Sequence, residues 1–366
     1  MAPIINPPFR TDHVGSLLRP LRLAEARQKE HDGLINGSEL KAVQDECIIE
    51  AVKRQESIGL QAVTDGEFRR DAWQWDFLCG FDGMELRKSN SSPGFRGGYQ
   101  PDNVYTDAKI ANQKGVMVDH FAYLMSVANV TPKICLPSPS MAYHRGGRGS
   151  IDPDIYPDIE EFFSDLAVAY SEEIKMLAGL GCSYLQLDDT TYAMMCDETV
   201  RQNILDRGDD PDELIGIYGK TIRKAIQDRP STMRVTVHMC RGNHRSNWIA
   251  EGGYELTAEK MFDEVDVDGY FMEWDSERAG SFEPLRFVPD DKFIVLGLIT
   301  SKTPELEAKD EIKRRIDEAA KYVPLEYLCL SPQCGFASTH LGNKLTEEEQ
   351  FKKLELVVEV AEEVWG

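Results

Sequence analysis

The sequence contains no Cys-x-x-Cys pair, no Gly-x-Gly-x-x-Gly or P-loop pattern after an early strand-like run, and no stretch of about 18 consecutive apolar residues. The first absence removes any motif that would declare a zinc or redox site by itself. The second weakens an open dinucleotide-binding sheet, and the third leaves nothing to span a membrane. Basic residues are also short: 41 Lys and Arg stand against 63 Asp and Glu, for a net charge of −22 over 366 residues. Partnership with nucleic acid or an anionic membrane is therefore not expected over most of the surface. The eight cysteines, Cys47, Cys79, Cys135, Cys182, Cys196, Cys240, Cys329 and Cys334, are scattered rather than clustered. With no apolar signal core in the opening Met1–Pro8 segment, they read as free thiols or metal ligands in a reducing, cytoplasmic setting.

What is present is a regular alternation. Strand-like runs occur at His13–Ser16, Ala62–Asp65, Ile134–Pro137, Tyr184–Asp188, Val235–Cys240, Gly269–Glu273, Phe293–Leu298 and Leu328–Ser331. Several are continuously apolar, as parallel strands buried on both faces must be. Helix-like blocks lie between them at Glu39–Ile58, Ile159–Leu180, Asp212–Gln227, Thr257–Val265, Glu305–Lys321 and Glu347–Val364, the fifth set by Thr303-Pro304 as cap and first turn. Eight such units predict an α/β fold, a (β/α)8 TIM barrel formed by one domain over residues 1–366. One connection, about residues 77–131, is too long for a plain barrel and predicts an insertion after the second strand. It could cover the mouth or contact a second copy, so a homo-oligomer is compatible with the sequence. No internal repeat is apparent.

In a barrel, chemistry collects at the carboxyl ends of the strands. His238 and Cys240 sit two apart at the end of one run, so on a strand they share a face. Glu273 and Cys334 end two other runs. One imidazole, two thiolates and a carboxylate suit tetrahedral Zn2+, and their three negative charges exceed the two of the ion. A further thiolate bound there would stay electron-rich. Cys and His on apolar strands are also ordinary core residues, and spacing alone does not bring distant segments together. Gly15-Ser16, Asp65-Gly66-Glu67 and Asp188-Asp189 end further runs, either as turns and helix caps or as a polar cradle.

The segments RTDHVGSLLRP, TDGEFRRD, LQLDD, VHMC, FMEW and SPQCGF, in order from residue 10 to residue 336, resemble the catalytic half of cobalamin-independent methionine synthase and its short "core" relatives. The resemblance implies a barrel binding Zn2+ through His238, Cys240, Glu273 and Cys334. It implies that Gly15, Ser16, Glu67 and Asp188 hold the amino and carboxylate groups of homocysteine, and that a methyl donor supplies the transferred group. The full-length enzymes carry a second, amino-terminal barrel, whereas this sequence begins with the catalytic one, as the short relatives do. Where they carry a proton-donating His after strand seven, this chain aligns Lys302, which becomes the candidate acid or a cation for a donor. The family's folate-stacking tryptophan has no clear counterpart around Pro137-Ser138-Pro139.

The leading expectation is a zinc-dependent methyltransferase acting on homocysteine. The alternatives are a zinc thiol alkyltransferase with another electrophile, similar to epoxide:coenzyme M transferases, a non-catalytic zinc-binding barrel, and a metal-free decarboxylase of the uroporphyrinogen type. A sulfonate thiol would want basic groups where Glu67 and Asp188 stand.

Overall fold

The computed structural model describes residues 6–88, 94–96 and 98–366. Its strands are β1 (Ala62–Val63), β2 (Asp82–Arg87), β3 (Asn103–Ala111), β4 (Thr131–Pro132), β5 (Ile134–Pro137), β6 (Tyr184–Asp189), β7 (Arg234–Met239), β8 (Gly269–Glu273), β9 (Phe293–Ile299) and β10 (Leu328–Pro332). A parallel ladder runs β10-β9-β8-β7-β6-β5, and β1 pairs in parallel with β4, which continues into β5. Thr11 bridges Leu330 in parallel and supplies the remaining position. The gap between that segment and β1 is spanned by Leu17 N–H donating to the Gly66 carbonyl at 3.1 Å and by the Thr64 hydroxyl donating to the Gly15 carbonyl at 2.6 Å. These eight parallel positions make the (β/α)8 barrel.

The barrel is filled in layers, because alternate residues of each strand point inward. At the floor, Phe9, Ala62, Tyr184, Phe271, Val295 and Cys329 pack into one apolar cluster drawn from β1, β6, β8, β9, β10 and the segment before Thr11. Along β6 the inward side chains are Tyr184, Gln186 and Asp188, climbing from that floor to the mouth. Above the floor lies a fully buried ionic group. The Lys133 ammonium donates to Asp12 Oδ1 at 2.9 Å, and the Tyr184 hydroxyl donates to Asp12 Oδ2 at 2.6 Å. The outward residues of the strands join the helices in the larger core, with Tyr170, Ile222 and Leu354 completely buried.

The His13–Ser16 run is not a strand. Pairing ends at Asp12, and the chain then turns through Gly15, whose φ of +125° excludes ordinary residues. A Cβ there would also lie 2.6 Å from Cys135 Sγ. The expected Glu305–Lys321 helix begins later, at Lys309, and Thr303-Pro304 does not cap it. Glu307 accounts for the delay: its carboxylate accepts the Thr300 N–H at 2.8 Å and pairs with the buried Lys353 at 3.0 Å, holding the approach segment extended along the barrel. The long connection after β1 carries a short helix (Trp75–Leu78), the antiparallel hairpin β2–β3, and a helix (Val118–Val127). Part of its Ser89-Asn90-Ser91-Ser92-Pro93-Gly94 stretch lies outside the described residues. Among the described residues, no helix is long and apolar enough to cross a membrane.

Candidate active site

At the carboxyl end of the barrel a cavity brings together Ser16, Glu67, Asp188, His238, Cys240 and Cys334. Residues separated by more than 300 positions therefore share one wall. One ring nitrogen of His238 and the thiols of Cys240 and Cys334 lie within 4.8 Å of one another, all three residues buried. The two sulfurs are 3.7 Å apart. That shared hydrogen bond holds the Cys334 thiol well below its ordinary range and raises Cys240 well above it. Neither ring nitrogen of His238 has a hydrogen-bond partner. A buried imidazole with two open nitrogens beside a paired thiol and thiolate is a donor set that lacks its acceptor, and it fits a thiophilic cation.

The loop carrying Cys334 is fixed from outside the cluster. Asn243 Nδ2 donates to the Gly335 carbonyl at 2.8 Å, and the Ser301 hydroxyl donates to it at 3.0 Å. Gly335 is required because a Cβ there would sit 1.9 Å from Ser16 Oγ. The Gly-Ser turn after the first strand position and the thiol loop after β10 are thus packed directly against each other.

Glu273 stands apart from this three-residue group. Its Oε2 accepts the Arg241 N–H at 2.8 Å, and its Oε1 pairs with the Arg278 guanidinium. Despite complete burial the carboxyl is held down at about 2, because Lys302, Arg241 and Arg278 together outweigh the desolvation that would raise it. Lys302, the candidate acid or donor cation, is not among the residues lining the cavity but sits behind it beside Glu273, its Nζ buried without a hydrogen-bond partner. It is 6% exposed, with Nζ 3.8 Å from Glu273 Oε1 and 3.9 Å from Asp275 Oδ2. Two carboxylates, rather than solvent, set its place.

The other predicted carboxylates behave differently. Desolvation pushes Glu67 up to about 7 and Asp188 up to about 6. Glu67 lies 3.6 Å from Arg70 Nη1, but its Oε2 is buried with no partner. Asp188 Oδ1 accepts from Gln186 Nε2 at 2.6 Å. Glu67 also holds a left-handed backbone, φ 61°, steadied by its N–H to Asp65 Oδ1 at 2.8 Å. A non-glycine residue kept in that region at a cavity wall is strain of the kind found at functional positions. Asp189 is instead consumed internally by Ser140 and Thr191 at 2.6 Å.

Sequence reasoning missed Trp73, Phe95, Arg145 and Asn243, all of which line the cavity. Phe95 comes from the insertion, so that segment does reach the mouth. Its neighbour Tyr99 stacks on His244 at 3.8 Å. Only the position of Asn243, three residues past Cys240, carries a local signal.

Residues 9–363 match the family described as the catalytic domain of cobalamin-independent synthase. The uncharacterized Bacillus subtilis protein YxjH is 46% identical over 98% of this chain and 95% of its own length. Methionine synthase of Pyrococcus horikoshii is 24% identical over 90% of this chain and 86% of its own. A Listeria monocytogenes crystal structure, assigned provisionally as a vitamin-B12-independent methionine synthase, is 37% identical, with a TM-score of 0.80 over 99% of this chain and 100% of that one. The match over almost the whole chain and the agreement in fold have one meaning: this chain belongs to the cobalamin-independent synthase catalytic-domain family.

Proposed function

We propose that this protein is a zinc-dependent S-methyltransferase that moves a methyl group from a donor to the thiol of homocysteine, giving methionine. One observation carries the reading: the His238, Cys240 and Cys334 donors share a small buried cavity with Glu67 and Asp188. A thiol site and an ammonium site in one cavity select an amino-acid thiol. Family membership and the named relatives support the same reaction class.

Zinc would be held by His238, Cys240 and Cys334, with Glu273 as a fourth donor. Bound there, it would supply the Lewis acidity that keeps a substrate thiol deprotonated near neutral pH, where a free thiol, titrating at about 8.5, is mostly protonated. Glu273 is the donor best suited to yield its place, since Arg241, Arg278 and Lys302 already satisfy its charge. Lys302 is then a positioning residue for Glu273 rather than an acid. Glu67 and Asp188 would receive the substrate ammonium, and Gly15 and Ser16 would shape the turn beside its carboxylate. An incoming cation between two carboxylates replaces the water that burial has removed from them, so both ionise on binding. Trp73 and Phe95 exclude water from the sulfur as it attacks the methyl carbon. The same two acids disfavour a sulfonate thiol.

The test is methyl transfer by zinc-loaded protein to homocysteine, with 5-methyltetrahydrofolate as mono- and polyglutamate, methylcobalamin and S-methylmethionine offered in turn. Methionine formed from any one of them supports the reading. Stoichiometric zinc with no detectable homocysteine binding would end it.

A further inference from the structure

The charged and thiol groups lining the first cavity are carboxylates and cysteines except at one place. Arg145 is its single permanent cation among the described residues. Its guanidinium donates no hydrogen bond and meets no carboxylate at ion-pair distance among those residues, and its Nε is buried without a partner. Neighbouring arginines are committed: Arg241 to the Gly252 carbonyl, Arg278 to Glu273 and Asp275, Arg207 to Asp209 and the His144 carbonyl. An uncommitted guanidinium facing a cavity is costly unless an anion completes it.

The location identifies which molecule brings that anion. Glu67 and Asp188 line the first cavity together with Arg145, but neither lines a second one that Arg145 also enters. Arg145 shares that second cavity with His144, Met194, Ile204, Arg207 and Ile249. His144 stays neutral there, because burial pushes it down to about 3. A second small molecule lying in this annex would present its reactive end to the first cavity past Arg145.

We infer that Arg145 is the anion-binding residue for the alkyl donor, which carries an oxyanion of the carboxylate or phosphate class and lies across the boundary of the two cavities. The inference rests on the methyl-transfer reading. Planar guanidinium geometry makes such a contact bidentate, which lysine reproduces only in part.

Calorimetric titration of the zinc-loaded protein with glutarate and with inorganic phosphate tests it, using wild type, Arg145→Gln and Arg145→Lys. The expected result is that wild type binds at least one of the two, that Arg145→Gln weakens that binding tenfold or more, and that Arg145→Lys falls between. Homocysteine affinity and zinc content should stay within about twofold in both variants. Failure of both anions to bind wild type, or unchanged anion affinity in Arg145→Gln, overturns the inference. So does a tenfold loss of homocysteine affinity in that variant, which would assign Arg145 to the α-carboxylate. Arg145-dependent anion binding in a protein that does not bind homocysteine would support the anion site and overturn the methyl-transfer reading instead.

Discussion

Two groups of buried charge sit in the same barrel, one near the floor and one at the mouth, and they are built oppositely. Asp12, Lys133 and Tyr184 form a closed set in which both carboxylate oxygens accept, Oδ1 additionally from the His13 N–H at 2.8 Å. At the mouth, His238 keeps two open nitrogens, and Glu67 and Asp65 each keep an open oxygen. The floor carboxylate has its desolvation answered from within, although both ring nitrogens of the adjacent His13 stay open. What sets the mouth apart is that its open atoms and its thiols share one cavity.

The sharpest way to break this comparison is to remove one thiol from the mouth. Cys240→Ser and Cys334→Ser should each lose nearly all bound zinc and all methyl transfer, while Cys329→Ser, in the floor cluster, keeps both. Metal analysis of the three proteins decides it, and stoichiometric zinc in both mouth variants would dissolve the proposed site.

Next in size is the floor. Lys133→Met leaves Asp12 buried and uncompensated, which costs about 3–5 kcal/mol. Chemical denaturation should show that loss, and the double variant Lys133→Met/Asp12→Leu should recover a good part of it. No recovery would mean the pair does more than neutralise itself.

Glu67→Gln then separates binding from stability. Homocysteine affinity should fall about tenfold or more, from loss of a charge-assisted hydrogen bond contributing about 1.5–3 kcal/mol, with zinc content unchanged. Asp188→Asn should behave alike. The folded protein holds the Glu67 proton more tightly than an unfolded chain does, about 7 against an ordinary 4.5. That contribution to stability is complete below pH 4.5 and is lost as pH rises through 7. Glu67→Gln should therefore match wild-type stability at low pH and exceed it by roughly 3 kcal/mol above pH 7. Parallel pH curves for the two proteins would show that Glu67 is not desolvated as described.

The smallest effect belongs to Lys302→Met. Arg241 and Arg278 remain beside Glu273, so the carboxylate stays ionised. Zinc content and homocysteine KM should hold, with kcat reduced less than about tenfold. A hundredfold loss of kcat would restore Lys302 as the acid.

The parts of this molecule legible in its sequence are those where burial dictates composition. The runs Ile134–Pro137 and Gly269–Glu273 are strands with those same bounds, because a parallel strand covered on both faces has little choice but apolar residues. The candidate ligands converge because strand ends in a barrel converge. What escaped was set by single long-range polar contacts. Glu307 delays a helix by engaging Lys353, 46 residues away, and two carboxylates turn Lys302 inward. Arg145 lies in a Gly-rich basic stretch that reads as solvated loop, and only its place on the cavity wall in three dimensions distinguishes it.

The left-handed backbone at Glu67 has a consequence for how this protein tolerates change. One residue there combines a conformation that favours glycine with a carboxylate that would rather be in water. A glycine at 67 would relieve both at once, and screens for heat resistance alone should enrich it quickly. Such survivors would be sturdier and unable to recognise an amino group. Position 67 is thus where selection for durability and selection for work pull hardest against each other, and any effort to harden this protein should hold it fixed.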